Sequence, residues 1–267
     1  MIEKKFHFLA GLPRSGSTLL ASIINQRSDI YATTTSPMLD LLYLNEQAWR
    51  NNPNVIANSD ERQVVNISSA IINGCWEHID KPIIIDKHRA HCRNIGVLKY
   101  MVTPNPKVIV TVRSIADILA SFVRLIHISS AEGKPNFVDI DLVEMRLEVN
   151  DENRTLHLWN NYVLDPYNSF KEGWEKYRGN IHLVEYDDLT KHPVTTMRKM
   201  YSFLELEPHT HDFDNIENQT VDDDLVAWGL DGLHTIRSKL QNTSRPKDVL
   251  GADLYKRINN MGLEFWR

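Results

Sequence analysis

Cysteine is scarce in this chain: Cys75 and Cys92 are the only two among 267 residues. Two thiols cannot build a disulfide framework, and their spacing is not that of paired metal ligands, so both are expected as buried thiols in a reducing compartment. Long apolar runs are missing too. None approaches the roughly 20 residues that span a bilayer, and Met1–Lys5 leads straight into the first apolar run, with no room for a signal segment. There is no basic stripe of the kind that tracks nucleic acid and no Lys/Arg block suited to a membrane surface; a net charge of −5 is spread along the chain. Repeats and low-complexity segments do not occur. These absences leave a cytoplasmic globular protein, without nucleic-acid partner or membrane span, as the expectation. The length allows one large domain or two small ones. Oligomeric state is not legible.

One kind of residue is missing from a particular place. Phe6–Ala10 is a short apolar run that reads as a buried strand, and Leu19–Gln26 carries apolar residues at helical spacing. Between them lies the turn Gly11-Leu12-Pro13-Arg14-Ser15-Gly16-Ser17-Thr18. Strand, glycine-bounded turn and helix together aim backbone N–H groups and a helix N-terminus at one point, which suits phosphate or sulfate. A nucleoside-triphosphate loop reads G-x-x-x-x-G-K-[ST]. Gly11, Gly16 and Thr18 fit it, but Ser17 stands where the lysine belongs. That lysine reaches the outer phosphates, so its absence counts against a triphosphate. The cation has moved into the bend, to Arg14, which suits a smaller anion such as a phosphosulfate.

The rest of the chain alternates strands and helices without a linker. Strands are predicted at Asp29–Thr35, Ile83–Ile85, Lys107–Val112 and Ile181–Tyr186, the second and third being the continuous β-branched runs of central parallel strands. Helices are predicted at Met38–Trp49, from a Ser59 cap to about His78 with Val64, Val65, Ile67, Ile71 and Ile72 inward, and at Ile95–Met101, Ala116–Ile128, Val143–Asn150, Asn153–Tyr162, Ser169–Tyr177, Val194–Leu204 and Leu254–Met261. Asn51–Asn54, Glu132–Val138 and Asn242–Lys247 read as loops, and Gly229–Lys239 as a loop with a short helix. His209–Asp224 reads as a solvated acidic loop rather than a metal site. The alternation implies an α/β fold, one doubly wound domain over residues 1–267 around a mostly parallel sheet. Ligands bind outside the carboxyl ends of such strands. Two of those ends are ionisable: Asp86-Lys87-His88-Arg89-Ala90-His91 after one strand and Arg113 after the next, with Ser121 a short way into the following helix.

Taken in order, these pieces resemble the sulfotransferases that use 3′-phosphoadenosine 5′-phosphosulfate (PAPS). Leu12–Leu19 is similar to that family's 5′-phosphosulfate loop. Val112-Arg113-Ser114 with Ser121 is similar to its 3′-phosphate element. Glu185-Tyr186-Asp187-Asp188-Leu189 is similar to the segment whose tyrosine lies near adenine. Asp86-Lys87 followed by Ile95-Gly96-Val97-Leu98 resembles bacterial members and the tyrosylprotein sulfotransferases. The resemblance spans residues 6–204. It implies a P-loop-NTPase-like three-layer sandwich and metal-independent transfer of a sulfuryl group to a hydroxyl, less often an amine, with release of 3′,5′-adenosine bisphosphate (PAP). It implies that Arg14, Ser15, Gly16, Ser17, Thr18, Leu19, Arg113, Ser121 and Tyr186 hold the nucleotide. Ser244-Arg245 is similar to the family loop that closes over the phosphates, with Arg124 as a further contact, and Lys87 resembles the lysine that meets the sulfuryl group. An arginine and a helix N-terminus at the loop would stabilise charge on the departing phosphate oxygen. A 3′-phosphate contact would reject ATP.

The acceptor side departs from the family pattern. Thr33-Thr34-Thr35-Ser36-Pro37 lacks the carboxylate that tyrosylprotein sulfotransferases carry there, which counts against a tyrosyl-peptide acceptor. The base is then expected in the Asp86–His91 cluster, at His88 first and His91 next, since imidazole suits proton abstraction near neutral pH. A sugar, a lipid, a small alcohol or a protein all remain open as acceptors. The competing readings are a P-loop nucleotide or small-molecule kinase and a non-catalytic nucleotide-binding module.

Overall fold

The computed structural model describes residues 4–58, 60–218, 224–241 and 245–267. Five strands, β1 (Lys5–Gly11), β2 (Ile30–Ala32), β3 (Ile83–Lys87), β4 (Val108–Val112) and β5 (Ile181–Glu185), pair in the order β2-β3-β1-β4-β5. Every pairing is parallel. Parallel pairing brings the carboxyl ends of β1, β3, β4 and β5 to one edge. The connections there carry Arg14, Lys87, Arg113 and Tyr186, all four of which line one cavity.

Alternation along the strands makes two cores. Phe8, Ile84, Val108 and Val110 face a layer of helices that includes α2 (Met38–Asn51), α4 (Glu61–Trp76), α5 (Ile95–Met101), α6 (Ile115–Ala131) and α9 (Leu164–Tyr177). Leu9, Ile85, Ile109 and Val184 face α1 (Ser17–Ile24), α10 (Tyr186–Lys191) and α11 (Pro193–Leu204). Each fully buried Leu, Ile or Phe is worth about 1.5–3 kcal/mol, so both faces of the sheet contribute. The result is the three-layer α/β sandwich expected from the alternation. β2 is short and has only one strand neighbour. The Asn25 amide closes its open side, donating to the Ala32 carbonyl and accepting from the Ala32 N–H, both at 2.7 Å.

Several element boundaries differ from the sequence expectation. The Asn51–Asn54 loop contains the start of a short helix, α3 (Pro53–Ala57), capped by Asn52, whose side chain accepts from the Asn54 N–H at 3.0 Å. The cap of α4 is Asp60, in a reciprocal capping box with Gln63; the expected cap, Ser59, lies outside the described residues. The inward residues of α4 are Ser68, Ile72 and Trp76, while Ile67 is exposed. Asn136 caps α7 (Phe137–Glu144) inside an expected loop, and most of the helix expected at Val143–Asn150 is instead a turn through Arg146 at φ 57°. Then come α8 (Asp151–Leu158), a π-helical turn (Trp159–Val163) and α9. Pro166 has no N–H to give the preceding turn, and the backbone widens there.

The expected solvated loop at His209–Asp224 is corrected at both ends. His211 is buried, hydrogen-bonded through Nε2 to the Tyr201 hydroxyl at 2.9 Å and stacked on its ring. Asp224 is buried and opens α12 (Asp224–Trp228). The short helix expected within Gly229–Lys239 does not form; residues 229–241 cross the molecule as an irregular strap. The chain ends with α13 (Pro246–Leu250), which starts within the loop expected at Asn242–Lys247, and α14 (Ala252–Asn259). No helix of the described residues is long and apolar enough to cross a membrane.

Candidate active site

The turn after β1 is shaped by two close approaches. A Cβ at Gly11 would lie 2.2 Å from Thr111 Oγ1, so only glycine lets β1 leave the sheet against β4 there. Ser15 then turns inward. Its N–H donates to the Leu12 carbonyl, and its buried hydroxyl bonds the Leu12 and Thr111 carbonyls and Thr111 Oγ1. This side chain builds the loop. Arg14 (φ 59°) and Gly16 (φ 94°) both adopt left-handed conformations, and α1 begins directly after. Left-handed residues alternating with ordinary ones turn successive N–H groups toward a common concavity. Among the described residues no acceptor reaches the N–H groups of Gly16, Ser17, Thr18 or Leu19. Four such donors at a helix N-terminus form a ready anion cradle.

Tyr186 braces this cradle. A Cβ at Gly16 would come within 2.7 Å of its ring, and Arg113 Cζ lies 4.3 Å from the ring centroid, a cation–π contact that fixes the arginine. Arg113 also donates from Nη1 to the Arg14 carbonyl at 3.2 Å. Its Nε is buried without a partner, a donor left for a ligand. Arg14 turns toward the expected 3′-phosphate residues rather than over the loop. It donates from Nε to Ser121 Oγ at 3.2 Å and from Nη1 to the Leu233 carbonyl of the strap. Burial, then the nearby Arg113 charge, lowers the Arg14 pKa to about 10. Crowded cations with unspent donors fit a polyanionic nucleotide.

The cradle opens into a cavity of about 640 Å³. Arg14, Gly16, Ser17, Thr18, Leu19, Lys87, Arg113, Ser121, Tyr186 and Arg245 all line it, as does the exposed Arg124. Ser15 does not, and Ser244 lies outside the described residues. The Lys87 N–H is tied to Thr33 Oγ1 at 2.8 Å, which fixes the strand end from which its side chain leaves.

His88 is not part of the cavity wall. Its Nδ1 accepts from the Ala90 N–H at 3.1 Å and its Nε2 faces Asp40 at 3.2 Å. Burial, then His91, pulls its pKa below the ordinary value against the pull of Asp40. Neutral, with Nδ1 accepting and Nε2 donating, it has no lone pair to offer. His91 is sealed in the core. The histidine that does line the cavity is His234, in the strap. Asp224 grips it twice, through Nδ1 at 2.5 Å and through its backbone N–H at 2.7 Å. The sequence reading passed over this pair because its partners come from a stretch without periodicity. An Asp ten residues before a His in a glycine-punctuated segment was the available signal.

The model of the sulfotransferase family matches residues 7–211, from the first strand to beyond α11. The chain belongs to the sulfotransferase family. Solved structures agree on the fold. Retinol dehydratase in complex with androsterone and the inactive cofactor PAP aligns with a TM-score of 0.52 at 14% identity, over 97% of this chain and 80% of that one. A sulfotransferase of Mycobacterium avium aligns with a TM-score of 0.50 at 12% identity, over 99% of this chain and 77% of that one. An uncharacterized protein of Aquifex aeolicus (strain VF5) is 24% identical over 217 residues, 76% of this chain. The chain spans only 26% of that curated relative's length. The family match stops before the strap, so His234 lies outside the matched residues.

Proposed function

We propose that this protein transfers a sulfuryl group from PAPS to a hydroxyl acceptor and releases PAP. The observation that carries the reading is the cradle itself: unspent N–H groups at Gly16–Leu19, no lysine at Ser17, and the buried, partnerless Nε of Arg113 beside Ser121. Family membership and the cited PAP complex of a structural neighbour support it.

In this reading the donor supplies a sulfuryl group, which bonds to the acceptor oxygen as its bond to the 5′-phosphate breaks. The Gly16–Leu19 N–H groups and the α1 N-terminus hold the 5′-phosphate and the charge it gains on leaving. Lys87 meets the sulfuryl oxygens. Arg113, Ser121 and Arg14 hold the 3′-phosphate, and Tyr186 keeps the loop and Arg113 in register. His234 takes the acceptor proton at Nε2, because Asp224 fixes Nδ1 as the protonated nitrogen and steadies the imidazolium that forms. That assignment replaces His88.

Calorimetric titration with PAP, with ADP and ATP-magnesium as controls, tests the reading. PAP is expected to bind without metal and more tightly than ADP. Arg113→Ala should weaken PAP about thirtyfold, the loss of a charge-assisted contact of about 2 kcal/mol. Preference for ATP-magnesium would favour phosphoryl transfer instead.

A further inference from the structure

A cation in the cavity wall has no carboxylate partner among the described residues. Arg89 leaves the loop after β3, two residues beyond Lys87, and lines the cavity. Among the described residues no hydrogen bond or ion pair reaches its guanidinium; the Trp228 ring lies 5.9 Å from Cζ, and the Arg89 charge is near enough to help lower the Arg14 pKa. Its backbone is held in place by Ser169, whose hydroxyl donates to the Arg89 carbonyl at 3.3 Å. Among the described residues the one carboxylate of the cavity wall, Asp117, is on α6. Burial alone lowers the pKa of Arg89, with no carboxylate acting to raise it. A guanidinium kept in a recess without an anion awaits one from outside the chain.

The surroundings of Arg89 differ from those of the nucleotide cradle. Trp228 ends α12, Phe137 opens α7, and the two are joined where the Phe137 N–H donates to the Gly229 carbonyl at 3.1 Å. Phe137 packs on Tyr162 with ring centroids 4.5 Å apart. Tyr162 is delivered by the π-helical turn, a feature that recurs at functional sites. All three rings line the cavity. A wall of rings beside an uncompensated arginine is selective in two ways at once: for a flat apolar body and for a negative charge on it.

We infer that the sulfuryl acceptor is an aromatic or similarly flat alcohol that carries its own carboxylate, with Arg89 binding the carboxylate and Phe137, Tyr162 and Trp228 enclosing the body. This rests on the reading of the cradle as a PAPS site. It adds what that reading leaves open, the chemical class of the acceptor. Arg89 is then a specificity residue, and the acceptor hydroxyl is turned toward Lys87.

The test uses two probes built on the same methyl-substituted phenol, 4-hydroxyphenylacetate and its counterpart without the carboxylate, 4-methylphenol, titrated into the intact protein saturated with PAP and followed by tryptophan fluorescence. The acid should bind at least tenfold more tightly than the neutral phenol. Arg89→Gln should weaken the acid by about 10- to 100-fold, the size of a charge-assisted contact, and leave the phenol and PAP unchanged. Arg89→Lys should recover part of the loss, since it keeps the charge without the bidentate fork. Equal affinity for the two probes overturns the proposal, as does binding of neither to a protein that binds PAP. Equal weakening of acid and phenol in Arg89→Gln, or weakening of PAP, gives Arg89 to the nucleotide and also overturns it. Failure of the wild-type protein to bind PAP at all instead refutes the donor reading on which the proposal rests.

Discussion

Two histidine–aspartate pairs among the described residues are buried on both sides, and they have opposite fates. In the first, Asp86 Oδ1 meets His91 Nε2 at 2.7 Å and Asp86 Oδ2 takes the Ser36 hydroxyl, while both side chains of the pair are 0% exposed. Ser36 in turn accepts from the Met38 N–H at 3.1 Å, and the His91 ring sits edge-on to Phe8 at 5.0 Å. That pair locks the end of β3 to the start of α2 and to β1. In the second, Asp224 and His234 are 6% and 8% exposed, and the imidazole lines the cavity. The chemistry of the side chains is the same. Access to a ligand separates a brace from a base, and access is set by which segment closes over the strand ends.

The comparison can be broken at either pair. The largest effect is expected at the second. His234→Ala should lower turnover of 4-hydroxyphenylacetate with PAPS by about 10²–10⁴-fold, the usual range for a general base, with PAP affinity unchanged. Full activity in the variant would return the base to another group. Next comes Asp86→Ala, which strips His91 and Ser36 of their partner in a dry interior. It should cost about 3–5 kcal/mol, read from the urea midpoint and slope. A loss below 1 kcal/mol would mean that the buried pair braces nothing. The smallest effect sharpens the contrast: His88→Ala, outside the cavity wall, should change turnover by less than about twofold under the same assay. A drop comparable to that of His234→Ala would show that the side chain rotates away from Asp40 and Ala90 to serve as the base.

The sheet was legible because its strands obey one rule. Ile83–Ile85 and Val108–Val112 are continuous β-branched runs, and both form central strands buried on two faces. The cradle was legible because glycines and cations stood at fixed offsets between a strand and a helix. Failures came where apolar spacing does not mean burial. Val143, Met145, Leu147 and Val149 are all exposed, yet they mimic a periodic segment. Their positions span the end of α7 and a turn. The strap was hidden for another reason. Its residues matter through contacts with α6, α7 and the loop after β1, and no local pattern encodes contacts made across such distances. The inward turn of Ser15 belongs to the same class, since Thr111, 96 residues away, dictates it.

The Arg14 hydrogen bond to Leu233 joins residues 219 apart. During synthesis the loop emerges before four further strands, then Tyr186, and finally the strap. Domains generally fold as units during synthesis, and contacts this remote form late because loop closure precedes their reward. Among these elements the site is thus begun early and finished last. A chain released before the strap would display the loop's full sequence, yet its arginine would have lost the carbonyl that holds it in place.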